Sequence, residues 1–369
     1  MARGLFVEPF YGGSHRAFLD GLVRHSAHHF TLLTLEDGEW RRRMRRGAHE
    51  LAAAAAQLDG DFGFLVATDM LDLPAFLALT RPRFSHLPIM LYLHENQLTY
   101  PRLRGTKFNS WFGAMNYLSA CAADVVAFNS EFHRSDFLAA LEALSSQPNN
   151  WIAAGTVQAI AGKSTVVPVG VDLGWMDAYA AGRRRSATEP PIVLWNHRWE
   201  FDKAPEVFIR TVRKLAEEGV PFRLALAGEP GNSPSGGPGV LRDEFPERIH
   251  HFGYADDRAT YARLLWESDI VVSTTRHEFF GVGMVEALYC GCFPIAPSGF
   301  NFTALVPPEL QGAALFESEE DCASKLRAAI VSRPGGDSRL RRAAARFAWP
   351  AVIGEWDAHL EELATTRRR

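Results

Sequence analysis

The stretch Arg276-His277-Glu278-Phe279-Phe280-Gly281-Val282-Gly283-Met284-Val285-Glu286 predicts the architecture of the second half of the chain. Residues 270–274, just before it, have the apolar composition of a buried strand, and residues 285–290 that of the start of a helix. Glycine at 281 and 283 permits a tight turn between the two, and the first amides of the helix can bind an anion such as a phosphate. The stretch is therefore predicted to be a ligand-binding junction between a strand and a helix.

Two carboxylates, Glu278 and Glu286, stand at either end of this turn. As charged acceptors they can hold the hydroxyl groups of a sugar or a ribose. An ordinary alternative also fits, with Glu278 as a solvated loop charge and Glu286 as an acid in a first helical turn, where the helix dipole favours it. The stretch alone leaves both interpretations open.

Strands and helices alternate along the rest of the chain, which is typical of a parallel, doubly wound α/β sheet. One such series predicts an N-terminal domain of residues 1–175, and a second series predicts a C-terminal domain of residues 190–348. Between them, residues 174–191 are polar and basic and contain Arg183, Arg184 and Arg185, which predicts a linker. A last helix is predicted within residues 349–369.

Polar residues follow several of the predicted strands. Glu8-Pro9-Phe10-Tyr11-Gly12-Gly13-Ser14-His15 forms a glycine loop after the first strand, and His94-Glu95-Asn96-Gln97 follows a later strand. In an open α/β sheet the carboxyl ends of the strands form the functional edge. The glycine loop has neither a dinucleotide-binding nor a P-loop spacing, so a plain glycine turn is an equally good interpretation of it.

Two cations, Arg198 and Lys203, follow the first strand of the second domain. A nucleoside diphosphate leaving group needs positive charge as its glycosidic bond breaks, and either a metal ion or an Arg/Lys pair can supply it. The one Asp-x-Asp arrangement, Asp59-Gly60-Asp61, precedes a strand instead of ending one, so we interpret it as a turn. The sequence therefore predicts a diphosphate site that needs no metal.

Five of the six residues at positions 41 to 46, next to Trp40, are arginines. Guanidinium groups beside an aromatic ring suit a phosphate backbone and an unstacked base. A solvated helix face is the alternative.

Composition narrows the class of protein. The 369 residues are 47% hydrophobic and 22% charged, enough for two domains with full cores, and the net charge of -4 excludes a general polyanion binder. Four cysteines without a CxxC pair indicate reduced thiols of an intracellular protein. Because the N-terminus has no signal core and no apolar run reaches the length of a membrane span, we expect a soluble, cytoplasmic protein without a membrane partner.

The spacing Arg198-x4-Lys203 and then Glu278-x7-Glu286, with Phe279-Phe280-Gly281 inside it, resembles the family-4 retaining glycosyltransferases of GT-B fold. The resemblance implies two Rossmann-like domains facing across a cleft and a final helix that crosses back to the N-terminal domain. It also implies catalytic roles for His94, Arg198, Lys203 and Glu278. The donor-binding residues that it implies are Arg198, Lys203, Phe279, Phe280, Gly281, Val282 and Glu286, with Gly12 and Gly13 approaching the donor from the N-terminal loop.

A narrower resemblance covers nearly the whole chain. The motifs that begin at Glu8, Leu93, His197 and His277 are similar to those of the tRNA-queuosine mannosyltransferase family, although the chain lacks the long polar insertion of animal members. The resemblance implies transfer of mannose from GDP-mannose, without a metal cofactor, to the cyclopentenediol of queuosine in the anticodon of aspartate tRNA. It implies a nucleotide sugar and a tRNA carrying queuosine as partners; a protein partner is not implied. The residues assigned to the acceptor are His15, Glu95, Asn96, Arg42, Arg43, Arg45 and Arg46.

Two alternatives stay open at this point. The chain can be a GT-B glycosyltransferase that uses another sugar nucleotide and a small-molecule, lipid or protein acceptor, or a non-catalytic RNA-binding relative. Joint retention of Arg198, Lys203, Glu278 and Glu286 argues against the second alternative.

Overall fold

The computed structural model describes residues 1–101, 110–148, 150–182, 189–229 and 237–365 of the chain, which forms two compact units. The N-terminal unit is built on residues between Met1 and Val171 and takes in the C-terminal helix, which begins at Trp349. The C-terminal unit runs from Asp172 to Ala348. Each unit contains one six-stranded sheet.

The sheet of the N-terminal unit is parallel throughout. Its strands are β1 (Arg3–Tyr11), β2 (His29–Glu36), β3 (Phe64–Thr68), β4 (Ile89–Leu93), β5 (Val125–Phe128) and β6 (Ser164–Val166). Its helices are α1 (Gly13–His25), α2 (Trp40–Ala55), α3 (Leu73–Leu79), α4 (Ser110–Ala122), α5 (Glu131–Ser145) and α6 (Thr156–Gly162). The strand order is β2-β1-β3-β4-β5-β6, so the direction of winding reverses between β1 and β3. Strands β3 and β4 are buried along their whole length, which explains why they are uninterrupted apolar runs.

The sheet of the C-terminal unit is also parallel. Its strands are β7 (Ile192–Trp195), β8 (Arg223–Ala227), β9 (Ile249–Gly253), β10 (Ile270–Val272), β11 (Phe293–Pro297) and β12 (Leu315–Phe316). Its helices are α7 (Pro205–Glu217), α8 (Gly239–Glu244), α9 (Arg258–Glu267), α10 (Val282–Tyr289), α11 (Phe302–Leu305), α12 (Pro308–Ala314), α13 (Glu319–Ser332) and α14 (Ser338–Ala345). The order β12-β11-β10-β7-β8-β9 is that of a Rossmann sheet, and its winding reverses between β7 and β10. The prediction of two doubly wound α/β sheets is confirmed.

The C-terminal helix α15 (Trp349–Thr365) packs on the N-terminal unit through two buried indoles. Trp349 lies against Gly21 and Gly170, where an added Cβ atom would come within 2.1 Å and 2.3 Å of the ring. Trp356 donates a hydrogen bond from Nε1 to the carbonyl of Pro168 at 2.9 Å. Glycine at 21 and 170 therefore makes the space that this helix needs. Across the described chain, no helix has both the length and the apolar character that crossing a membrane would take.

The first part of the predicted linker, residues 174–182, is not a linker in the structure. A 3-10 helix, Gly174–Gly182, belongs to the C-terminal unit instead of a linker. Met176 is fully buried and its carbonyl accepts a hydrogen bond from Trp266 Nε1 at 2.8 Å, while Asp177 accepts one from Tyr289 at 3.0 Å. Apolar residues of this segment anchor it to the C-terminal unit. The linker prediction rested instead on the polar and basic residues that follow. Arg183, Arg184 and Arg185 lie outside the described residues.

The start of one helix also differs from the prediction. In the opening stretch the helix begins at Val282, three residues earlier than expected. Gly281, with φ 95°, takes the left-handed conformation that ends the turn, so the helix can start immediately after it.

Candidate active site

The winding reversal of the C-terminal sheet brings together the two predicted donor loops. Strands β7 and β10 are neighbours in parallel register, with Ile270 opposite Val193, so the loops that follow both strands meet at one edge. Lys203 Nζ lies 3.3 Å from Glu278 Oε2 and 3.2 Å from Asp202 Oδ2. Crevices at such reversals are where open α/β sheets bind ligands. Lys203 and Glu278, which are 75 positions apart in sequence, thus lie in one charged cluster.

Lys203 is the centre of this cluster. Its side chain is largely buried, and burial alone lowers the pKa of an amine, but the carboxylates of Glu278 and Asp202 outweigh that effect and raise the pKa of Lys203 above its ordinary value. Arg198 points outward, with 63% of its side chain exposed and Nη1 3.5 Å from Glu200 Oε1. Lys203 is thus a permanent cation fixed inside the site, and Arg198 is a second cation at its surface.

The glycine turn is held by a residue outside the opening stretch. Asn301, which is buried, donates from Nδ2 to the carbonyl of Phe280 at 2.7 Å, and its own amide donates to the carbonyl of Glu278 at 3.3 Å. The side chains of Phe279 and Phe280 are both buried, so they offer a ligand backbone groups only. The first amides of α10, from Val282 onward, have no carbonyl partner within the helix. The turn therefore presents amide donors beside the Glu278 carboxylate.

Glu286 lies one helical turn further on and is held by a tyrosine. Tyr261 donates its hydroxyl hydrogen to Glu286 Oε2 at 2.8 Å. Asn196 Nδ2 in turn lies 3.3 Å from the Tyr261 oxygen and donates to the carbonyl of Gly283 at 3.1 Å. Burial raises the pKa of Glu286 to about 7, although the hydrogen bond from Tyr261 opposes that rise. Near neutral pH the carboxyl group is balanced between its charged and neutral forms.

Three supporting residues of the C-terminal unit, Asn196, Tyr261 and Asn301, were not predicted from the sequence. Tyr261 lies within α9, where an aromatic residue at helical spacing is usually part of the core. Asn301 follows β11, and its polar side chain after a strand end was the one signal that could have identified it.

The N-terminal unit forms a second cluster at its own winding reversal. Glu8, on β1, is fully buried and accepts hydrogen bonds from the amide of Phe10 at 2.9 Å and the hydroxyl of Thr68 at 3.1 Å. His15 Nδ1 lies 3.1 Å from the other carboxylate oxygen of Glu8. The rings of His15 and His94 are in contact, with centroids 4.2 Å apart. The structure thus brings together two predicted residues, His15 and His94, around a carboxylate.

The two histidines carry different charges. Burial lowers the pKa of His15, but the Glu8 carboxylate outweighs it and raises that pKa to about 9. Burial and the neighbouring His15 charge hold the pKa of His94 well below its ordinary value. His94 Nε2 is buried and has no hydrogen-bond partner among the residues described. His94 is thus a neutral imidazole beside the charged ring of His15. Its Nε2 can accept a hydrogen bond from a substrate or donate one to it.

One group of side chains has the spacing of a metal site. The ligand atoms of Glu8, His15 and His94 all lie within 4.8 Å of one another. The hydrogen bond from His15 to Glu8 accounts for the closest of these approaches without an ion. Glu8 and His15 are therefore paired directly with each other, and His94 contacts His15 through its ring.

The other residues assigned to the acceptor or to the N-terminal loop have distinct environments. Position 12 needs glycine because Asp37 packs closely against it: a Cβ atom added to Gly12 would lie 2.3 Å from the Asp37 side chain. Gly13 has a left-handed φ of 50°, with open space around it. Asn96 is buried and its Oδ1 caps a turn by accepting from the amide of Leu98 at 3.0 Å. Glu95 accepts from Gln97 Nε2 at 2.8 Å. For Asn96, only Nδ2 is left without a hydrogen-bond partner in the described part of the chain.

The four arginines assigned to tRNA lie on α2, away from both clusters in sequence, and they are not equivalent. Arg43 Nη1 and Arg46 Nε each lie 3.4 Å from a Glu50 oxygen. Arg42 and Arg45 are exposed and make no ion pair with any residue that the structure describes. The predicted patch thus contains two guanidinium groups that share the single carboxylate of Glu50 and two that pair with no described carboxylate.

Two family models match the chain. The model described as tRNA-queuosine alpha-mannosyltransferase N-terminal matches residues 3–171, and that of the group 1 glycosyl transferases matches residues 181–346. A tRNA-queuosine alpha-mannosyltransferase from Drosophila melanogaster is 31% identical over 311 residues, which are 83% of this chain and 82% of the relative. A GDP-mannose-dependent alpha-(1-6)-phosphatidylinositol dimannoside mannosyltransferase from Mycobacterium tuberculosis is 29% identical over 216 residues, 56% of this chain and 54% of that protein.

Solved structures resemble the whole chain. Sucrose-phosphate synthase from Thermosynechococcus elongatus matches with a TM-score of 0.72 and 16% identity, covering 98% of both chains. Anabaena HepE in complex with UDP matches with a TM-score of 0.67 and 16% identity, covering 98% of this chain and all of the other. At this identity the likeness shows the fold alone, and that fold is GT-B.

Proposed function

The chain belongs to the tRNA-queuosine alpha-mannosyltransferase family, and from this membership we propose that it transfers mannose from GDP-mannose to queuosine in the anticodon of aspartate tRNA. The observation that carries the proposal is the match of residues 3–171 to the family's own N-terminal model. Group 1 glycosyl transferases share the C-terminal model, so the N-terminal match is the one that bears on the acceptor. A GDP-mannose-dependent relative supports the choice of donor.

In the proposed reaction, the bond between mannose C1 and the diphosphate breaks and a bond forms from C1 to a hydroxyl oxygen of the queuosine cyclopentenediol. The acceptor attacks on the face that the diphosphate leaves, so the configuration is retained. The hydroxyl proton passes to an oxygen of the departing GDP. The phosphate therefore serves as the base, and no protein carboxylate needs to act as a nucleophile.

Each charged residue of the site has a proposed part in this reaction. Lys203 and Arg198 neutralise the departing diphosphate without a metal ion. Glu278 and the amides of Phe280 and Gly281 hold the hydroxyl groups of the mannose, and Glu286 holds the ribose. His94 hydrogen-bonds to the sugar through its vacant Nε2 and stabilises the positive charge that develops at C1.

The decisive experiment is a transfer assay. The purified protein is incubated with GDP-mannose, GDP-glucose or UDP-glucose and with tRNA that does or does not carry queuosine, and the modified nucleoside is identified by mass spectrometry. Transfer of mannose from GDP-mannose to the queuosine-bearing tRNA alone is expected. Lys203→Ala and Glu286→Ala should both weaken GDP-mannose binding, and unchanged affinity in both would overturn the donor assignment.

The lipid acceptor is the second candidate, because one relative is named for a phosphatidylinositol dimannoside acceptor. That relative matches only about half of each chain. A parallel assay with phosphatidylinositol mannosides tests it. Transfer to the lipid and none to tRNA would replace the tRNA proposal.

A further inference from the structure

The basic helix α2 is fixed against the start of α4 by aromatic contacts. Trp40 and Phe112 have ring centroids 5.2 Å apart, and Met44 is buried beside them. The guanidinium carbon of Arg45 lies 5.3 Å from the centre of the Phe112 ring. This packing brings the outer face of α2 next to the first turn of α4.

Trp111 is the residue that this packing places beside Arg45. Its neighbour in sequence, Phe112, is buried, but 59% of Trp111 is exposed. Trp111, Arg45, Met44 and Asp72 line a shallow pocket of about 400 Å³. An indole exposed to this extent at the wall of a pocket is unusual for a residue that serves only to pack the core.

The pocket combines three chemistries. Trp111 offers a flat π surface, and Arg45 offers a guanidinium group that no described carboxylate pairs with. Asp72 Oδ1 already accepts from the amide of Ala75 at 3.1 Å, so the carboxylate is held in one orientation at the pocket wall. A carboxylate can still accept a hydrogen bond from the exocyclic amino group of a base through its second oxygen.

From this arrangement we infer that Trp111, Arg45 and Asp72 form a binding site for one unpaired nucleotide of the RNA acceptor, with the base stacked on the indole. Arg45 and Arg42 contact the flanking phosphates. Single-stranded RNA is recognised by just this combination of aromatic stacking, edge hydrogen bonds and phosphate contacts. The inference rests on the proposed function, because it takes a tRNA as the acceptor, and it assigns a further contact beyond the nucleotide that is mannosylated.

The test measures tRNA affinity by fluorescence anisotropy, with GDP-mannose affinity measured in parallel. Trp111→Ala is expected to weaken tRNA binding about tenfold, because the base loses the aromatic ring on which it stacks. Trp111→Phe keeps a stacking surface and should stay within about threefold of the native protein. Trp151→Ala, which removes a second partly exposed indole of the same unit, is the matched control and should change nothing.

The arginines supply an internal comparison. Arg45→Ala should reduce the slope of log affinity against log salt by about 0.7, the value for one lost contact to single-stranded nucleic acid. Arg46→Ala, on the same helix, removes a guanidinium group that is paired with Glu50 and should change the slope less. Equal effects of the two variants would contradict the assigned geometry.

The outcomes separate this inference from the proposed function. If the native protein mannosylates tRNA but Trp111→Ala binds it as well as the native protein does, the nucleotide site is wrong and the function stands. If the native protein shows no affinity for tRNA, the site is wrong as well, and the transfer assay decides the function independently. A tenfold loss with Trp111→Ala, rescue by Trp111→Phe and unchanged GDP-mannose affinity would support the site.

Discussion

Replacing Glu8 by glutamine should remove the positive charge from His15. The carboxylate of Glu8 is the nearest charged partner of His15, at 3.1 Å, and both residues are buried. Glutamine has the same shape, so its amide oxygen can keep the hydrogen bonds from Phe10 and Thr68 while its amide nitrogen donates to a neutral His15. Only Asp69 and Glu95 are then left to favour the imidazolium, against the burial that opposes it.

The size of the effect follows from the pKa of His15. A rise from 6.5 to about 9 corresponds to roughly 3 kcal/mol at about 1.4 kcal/mol per pH unit. Because the pKa is higher in the folded than in the unfolded protein, this stabilisation is fully present below pH 6.5 and is lost as the pH rises through about 9. The difference in unfolding free energy between the native protein and Glu8→Gln should therefore be largest near pH 6 and shrink toward pH 10.

Two measurements check this prediction. Histidine-selective NMR, with the His15 signal assigned from a His15→Gln spectrum, should give a pKa of about 9 in the native protein and one near or below 6.5 in Glu8→Gln. Urea unfolding between pH 6 and pH 10 should show the converging stabilities. Burial raises the pKa of Asp69, so Asp69→Asn is needed to separate its contribution in the same pH range. Parallel stability curves for the native protein and Glu8→Gln, or a native His15 that titrates near 6.5, would refute the reasoning.

Three further substitutions have definite expectations. Glu278→Gln should tighten the binding of free GDP several-fold and lower mannose transfer at least tenfold, and calorimetry showing weaker GDP binding would contradict it. In Tyr261→Phe the pKa of Glu286 should rise further above about 7, so the increase of GDP-mannose affinity with pH should move to higher pH; an unmoved midpoint would exclude Glu286 as the ribose ligand. Trp349→Ala should cost about 3–5 kcal/mol in urea unfolding, the usual range for a buried indole, and a loss below 1 kcal/mol would show that α15 is not anchored there.

Much of the fold could be predicted from the sequence because parallel sheets leave a strong pattern. Strands such as β3 and β4 are buried on both faces and therefore read as continuous apolar runs. The strand order could not be read in this way, because it depends on which strands pair and not on their composition. Yet the order decides the site, since only the adjacency of β7 and β10 brings Lys203 to Glu278.

The charged residues of the candidate site could be predicted, but the residues that hold them could not. Lys203 and Glu278 follow strands and carry charge, which marks them in a sequence. Tyr261 and Asn301 act through single hydrogen bonds from elements distant in the chain, and no local pattern distinguishes them from core or loop residues. The arginine run is a second example. The sequence does not distinguish its arginines from one another, and the structure shows that Arg43 and Arg46 pair with Glu50.

The charge balance around Lys203 bears on how a donor would be bound. The loops after β7 and β10 contain three cations, Arg198, Lys203 and Arg276, and three carboxylates, Glu200, Asp202 and Glu278, so their formal charges cancel before any diphosphate arrives. A site without a net charge does not attract a free nucleoside diphosphate strongly. If Glu278 binds the hydroxyl groups of the sugar, its carboxylate gains a new partner and Lys203 can turn toward the phosphates. The sugar and the diphosphate would then be bound cooperatively, and the intact donor would be favoured over the GDP product because only the donor relieves the Lys203–Glu278 pair.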